Sequence, residues 1–204
     1  MIGLLVLFAL LFAPAVASAD VPEEARMAYA RVLDRHVERG LVDYAGLARD
    51  RADLDAYVDA IGRASLPASK EAKIAFYIDA YNALVLRSVL DAHRPDSVLK
   101  VEGFFAGRTH RVAGQEVTLD ALEKKVLNPL AKDPRTHFVL VCAALGCPPL
   151  DDVPYAGRPL ESRLARATRT YLASLEGHAS RKVRSRCPRS SSGTRRISAG
   201  RRAS

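Results

Sequence analysis

A single α+β domain is what this sequence predicts, and three observations carry that expectation. Long stretches place apolar residues three and four apart, the period of an amphipathic helix. Two short segments flank Ala113-Gly114 as the arms of a hairpin. The run HFVLVCA, His137 to Ala143, is apolar, rich in β-formers and too short for a helix. Helices first, then hairpin, helix, strand and helix, is not the regular alternation of an α/β protein. The expected architecture is a helical N-terminal half, with the hairpin and a central buried strand packed on one long buried helix.

In chain order, Ala25, Ala28, Tyr29, Val32, Leu33, His36 and Val37 give the first amphipathic helix, ended by Gly40. An extended piece, Leu41 to Tyr44, leads into a second helical pattern through Leu47, Leu54, Tyr57, Val58 and Ile61. The longest helix is expected from about Lys70 to His93, with Ser69 as N-cap and Glu71 favourable to the macrodipole. Its middle is apolar nearly all round, so it should be buried on most sides, and Asp79 and Asn82 sit on one face inside that section. The hairpin arms are Thr109 to Val112 and Gln115 to Val117; Thr118 then caps a short helix closed by Pro129. A last helix covers about Leu160 to Leu175, and no internal repeat is present.

The two ends read differently from the middle. Residues 1–19, MIGLLVLFALLFAPAVASA, have the apolar run, the Pro14 break and the Ala17-x-Ala19 ending of a secretory signal peptide, with cleavage before Asp20. The run is shorter than the roughly 20 residues a membrane helix needs. The expectation is therefore an exported protein, periplasmic or secreted, with no stable membrane anchor after cleavage. At the other end, residues 180–204 hold nine Lys and Arg and no Asp or Glu. Removing those nine from the 31 in the chain leaves 22 basic against 23 acidic residues, so the formal charge of +8 belongs to this segment. Its Arg, Ser and Gly composition predicts a disordered tail. The body, residues 20–179, is nearly neutral and no nucleic acid is expected to bind it.

No glycine-rich phosphate loop, G-x-S-x-G elbow, dinucleotide fingerprint or H-E-x-x-H is present, so no cofactor and no metal is expected. Chemistry is left to Cys142, Cys147 and His137. Loops at the ends of rigid elements concentrate function, and either Cys is a candidate nucleophile. On a strand, however, five residues at about 3.3 Å each would put His137 roughly 16 Å from Cys142 and on the opposite face. A base would then come from His110 or His36. In an exported chain a disulfide between these two Cys is the favoured reading, ahead of structural thiols or a nucleophile, with Cys187 unmatched. Asp79 and Asn82, with Tyr77 and Tyr81, either line a binding pocket or hydrogen-bond a loop backbone. Glu123 either makes an ion pair or faces that pocket. His137 on an apolar face reads first as a core histidine partnered by Asp133 or Glu123.

The segments VDYAGL (Val42 to Leu47), AFYIDAYNALVL (Ala75 to Leu86), GFFAGRTHRVAGQEVTLDALEKKVL (Gly103 to Leu127) and DPRTHFVLVCAALGCPPL (Asp133 to Leu150) resemble the domain-of-unknown-function family 547, DUF547, from about residue 40 to 175. The resemblance implies an exported or surface domain of bacteria and brings no established reaction, cofactor or substrate. It carries Tyr81, Asn82, Glu123, Arg135, His137, Cys142, Cys147 and Pro148 as motif positions. Two departures stand out. Tyr77-Ile78-Asp79 replaces a common Trp-Ile-Asn, and the basic tail replaces an aromatic ending. A tail of this composition is what a GC-rich gene yields out of frame. The expectation is a family domain incomplete at its C-terminus, followed by a frameshift product from near Ser180.

Three functions fit: a binding or structural accessory domain of the cell envelope with its Cys pair oxidised; a thiol-dependent hydrolase or transferase acting on peptide or amide bonds; or, if the tail is native, a basic-armed binder of anionic polymers. The first is preferred, since strand geometry denies Cys142 its nearest base and export favours oxidation.

Overall fold

Helices and two small antiparallel hairpins, rather than an extended sheet, build the chain in the computed structural model, which describes residues 20–144 and 146–186, the last twelve by backbone alone. The proposed signal peptide and the segment beyond Arg186, Cys187 included, lie outside the described residues.

Helix α1 (Glu23–His36) is followed by β1 (Val37–Glu38) and β2 (Leu41–Val42), which pair around Arg39 and Gly40, both at positive φ. The second helical pattern divides into α2 (Tyr44–Arg49) and α3 (Ala52–Arg63). Asp43 caps α2 by accepting from the Ala45 and Gly46 amides, and Asp50 ends it outside the helical region of φ and ψ. Tyr29 of α1 stacks on Tyr57 of α3 with centroids 4.4 Å apart, both rings buried.

Helix α4 (Lys70–Asp91) is the axis of the core. Ser69 Oγ accepts from the Ala72 amide at its start, and it is buried almost without interruption from Ile74 to Leu90. It ends on two left-handed residues, His93 and Arg94, whose amides bond Leu90 O and Val89 O. Strands β3 (Thr109–Val112) and β4 (Gln115–Thr118) form the second hairpin in the expected register, with Ala113 and Gly114 both at positive φ, as its two-residue turn requires. That turn docks on the end of α3: the Ala113 and Gly114 amides donate to Ile61 O and Gly62 O at 2.9 and 3.0 Å.

Thr118 caps the next helix, accepting from the Ala121 amide, but Pro129 does not close it. The helix begins as α5 (Leu119–Ala121), widens into a π-helical turn over Leu122–Leu127, and continues as α6 (Asn128–Ala131) before Lys132 stops it in the left-handed region. In the wide turn the Asn128 amide reaches back to Glu123 O. A proline, with no N–H to donate, sits at the first positions of the new α turn without breaking the spiral.

The central buried strand expected over residues 137–143 does not form. Residues Pro134–Val139 are a 3-10 helix, opened by Asp133 accepting from the Arg135 amide, and the chain becomes extended only at Leu140. Among the described residues no strand lies beside it; each sheet has two strands only. The hydrophobic run is buried as expected at Val139, Leu140 and Val141. Its burial is against helices and loops rather than within a sheet. Helix α7 (Leu160–Arg186) runs past the end expected at Leu175. One contiguous hydrophobic cluster, from Val21 to Leu164, joins all these elements.

Candidate functional site

The motif residues gather around α4 and the loop that follows the 3-10 helix. Asn82, buried on α4, replaces the missing strand neighbour: its Nδ2 donates to Val139 O at 2.9 Å and its Oδ1 accepts from the Val141 amide at 3.0 Å. A side-chain amide has the donor and acceptor of a peptide group, so it satisfies the extended backbone as a ladder partner would. Three residues earlier, Asp79 takes the next loop: Oδ1 and Oδ2 accept from the Tyr155 and Ala156 amides, both at 2.8 Å. Burial pushes this carboxyl up to about 7, against the opposing pull of those two amides and of Arg163. Both polar groups of α4 thus bond loop backbone.

Opposite Asp79, Arg163 of α7 is buried with its guanidinium centred 3.8 Å from the Tyr155 ring. It donates to Val153 O at 2.7 Å and to Pro154 O, and pairs with Asp151 at 2.8 Å; Asp151 also meets Arg166 at 2.6 Å. Burial works against ionisation of Asp151, but the two arginines prevail and hold its carboxyl below the usual range. The segment from Asp151 to Ala156 is therefore clamped between α4 and α7.

Cys142 and Cys147 sit in the loop between the two clamped segments. Their sulfurs lie at bonding distance and their Cα atoms are 5.9 Å apart, within the usual span of a disulfide. Three contacts hold this loop. The Val141 amide is fixed by Asn82, the Leu150 amide donates to Gly40 O at 3.2 Å, and Tyr171 Oη of α7 donates to Gly146 O at 2.9 Å. Gly40 is required here, since a Cβ would stand 2.2 Å from Pro149 Cβ and its φ is +78°. Between the loop and the β1–β2 hairpin lies an apolar cleft of about 320 Å³, walled by Leu41, Val42, Tyr44, Val141, Cys147 and Pro148 among others.

A second group forms where the 3-10 helix passes the π turn. His137 Nδ1 is 3.4 Å from Glu123 Oε1, and Tyr81, buried beneath, has its hydroxyl pushed up by burial and by the Glu123 and Asp120 charges. His137 itself is 74% exposed, so it is not the core histidine expected, and its carboxylate neighbour is Glu123 rather than Asp133. Asp133 instead pairs with Arg135, which also grips Glu161 of α7 at 2.6 and 2.8 Å. Arg135 ties the 3-10 helix to the start of α7. Tyr77 contacts Phe76 edge-on, with ring centroids 5.3 Å apart.

The structure thus brings Tyr81, Glu123 and His137 together, and sets Asn82 against the Cys loop. Of the other two candidate bases, His36 is 3.8 Å from Asp50, and His110 lines a pocket beside α3 that shares no lining residue with the cysteine cleft. Among the described residues no hydrogen bond joins any histidine to Cys142 or Cys147, and no cluster of three or more His, Cys, Asp or Glu has the arrangement of a metal site. Sequence reasoning missed Arg163, Asp151 and Tyr155. A signal was available, since Arg163 interrupts the apolar face made by Leu160, Leu164 and Ala167, where a cation needs buried acceptors.

These features define a helical α+β domain whose buried polar residues hold loops around a cysteine-containing cleft. A family model described as "Protein of unknown function, DUF547" matches residues 66–172, just over half the chain, and the chain belongs to that family. No curated protein and no solved structure matches the chain.

Proposed function

We propose that this chain is an exported binding or structural accessory domain of the cell envelope, with Cys142 and Cys147 joined as a disulfide that stiffens one wall of the apolar cleft. The observation that carries the reading is the pair of sulfurs at bonding distance in a loop held on three sides, by Asn82, Gly40 and Tyr171. A disulfide removes both nucleophiles, and an apolar, mostly preformed cleft with few polar groups suits binding. The leader-like residues 1–19 favour export, where such a bond persists. No described helix is long and apolar enough to cross a membrane.

The thiol-dependent hydrolase or transferase reading has one observation in its favour, the exposed His137 held by Glu123, which has the form of a base and its orienting carboxylate. Counting thiols by alkylation and mass spectrometry on the native mature protein separates the two. Labelling of Cys142 and Cys147 only after reduction is expected. Fast labelling of either at neutral pH without reduction overturns the binding-domain reading in favour of a reactive thiol.

A further inference from the structure

A second cavity among the described residues lies away from the cysteine loop. It is a pocket of about 630 Å³ between α3, α4 and the β3–β4 hairpin, and it shares no lining residue with the apolar cleft. Its floor holds two buried polar atoms without a hydrogen-bond partner: Ser88 Oγ on α4, in a residue only 1% exposed, and His110 Nε2 on β3. Buried polar groups are nearly always satisfied, and an unpaired hydroxyl costs about 1–3 kcal/mol. Both residues line this one cavity, and a ligand seated against them would satisfy both atoms.

The charges around them select its sign. Arg87 is surrounded by carboxylates, with Asp55, Asp59 and Asp91 at 3.4, 3.5 and 3.7 Å. The remaining lining cations, Arg63, Arg108 and Arg111, have no carboxylate within 4 Å among the described residues, and only Glu116 opposes them as a carboxylate without such a cation. Three unpaired guanidinium groups over a hydroxyl and an imidazole make a donor-rich cavity. Gly62 brings the hairpin close enough to form the wall, since a Cβ there would stand 3.3 Å from Arg111 O.

We infer that this pocket binds a small polar ligand through a phosphate-type oxyanion, with Ser88 and His110 donating from the floor and Arg63, Arg108 and Arg111 from the rim. The remaining acceptor, Glu116, is placed for a hydroxyl of the same ligand, so a phosphate monoester of a polyol or sugar fits better than phosphate alone. The inference is independent of the state of Cys142 and Cys147.

His110 supplies a readout. Burial, with the Arg87 charge, holds its imidazole below the usual range, while Asp91 pulls the other way, Arg108 adds to the depression and Glu116 opposes it; Asp59 and Arg63 face the same space from α3. A bound dianion reverses that depression. Occupancy should therefore raise the His110 titration midpoint, and binding should strengthen as pH falls through the histidine range.

The test is a titration of the folded mature protein with inorganic phosphate, glucose 6-phosphate and glucose, following the His110 imidazole signals by NMR, assigned with His110→Gln, together with the thermal midpoint. The sugar phosphate is expected to shift the signal and raise the midpoint more strongly than phosphate, and glucose to do neither. Arg108→Ala/Arg111→Ala should abolish the response. Ser88→Ala should weaken binding roughly five- to tenfold while leaving thermal stability unchanged or higher, because it removes an unsatisfied hydroxyl. Phosphate acting alone, with the ester no better, overturns the ligand class. No shift with any anion, or an equal shift in the double-arginine variant, overturns the site.

Discussion

Replacing Asn82 by Ala removes both bonds to the extended segment and leaves Val139 O and the Val141 amide buried without partners. A loss of about 2–4 kcal/mol is expected in denaturant unfolding, on the usual cost of unsatisfied buried groups. Asn82→Asp keeps the acceptor for Val141 but turns an oxygen on Val139 O, so it should be destabilised at neutral pH and partly recover in acid. Equal stability of Asn82→Asp across pH would show that the amide is not paired this way. Asp79 should shape the wild-type pH profile. Its carboxyl is pushed up to about 7 in the fold, above its ordinary value of 3.8, so the native state holds a proton that the unfolded chain releases. The sign follows: the Asp79 contribution is full below about pH 4 and is lost as pH rises toward 7, with a slope of at most about 1.4 kcal/mol per pH unit. Unfolding by denaturant from pH 4 to 8 checks this. Asp79→Asn should flatten the decline, at the cost of turning an NH2 toward one of the two loop amides.

At the scale of elements, Gly40 and its hairpin decide whether the cysteine loop has a wall to rest on. Gly40→Ala forces a side chain into Pro149 at a positive φ, and a loss of more than about 2 kcal/mol is expected from strain and overpacking together. On the disulfide proposed above, the cysteine pair of that variant should also be reduced more readily by dithiothreitol than that of the wild type; unchanged reduction would mean that the loop does not depend on this contact. The elements themselves were largely legible. Caps at Ser69 and Thr118 lie where hydroxyl residues precede helical patterns, and Ala113-Gly114 turns its hairpin in the expected register. What was not legible had nonlocal causes. The run from His137 to Val141 has strand composition, but a strand needs a neighbour, and its neighbour is a side chain 57 residues away in sequence. Pro129 read as a stop because the π turn that accommodates it has no local sequence mark. The motif positions were visible through family likeness, whereas their division between loop clamping at Asn82 and the Tyr81–Glu123–His137 group depended on the π turn and the 3-10 helix, which periodicity does not report.

For the molecule as a whole, the contiguous core implies one cooperative unit. Helix α4 runs through it, and the chain from Val139 to Leu160 is anchored to α4 by Asn82, Asp79 and Glu71, whose Oε1 accepts from the Leu160 amide at the start of α7. A helix whose middle is buried on nearly all sides cannot remain ordered once its neighbours leave, and the loops cannot remain ordered without its three side chains. Far-UV circular dichroism and tyrosine fluorescence should therefore report one coincident unfolding transition, even though the stacked Tyr29 and Tyr57 lie on α1 and α3 while the clamped Tyr155 lies before α7. Ile78→Ala, at a fully buried position midway along α4, should lower stability by about 2–5 kcal/mol and move both signals together. If the fluorescence transition separated from the helical one in that variant, α1 and α3 would form a unit that survives without α4, and the pocket between α3, α4 and the hairpin would have to be regarded as a seam between two units rather than a cavity within one.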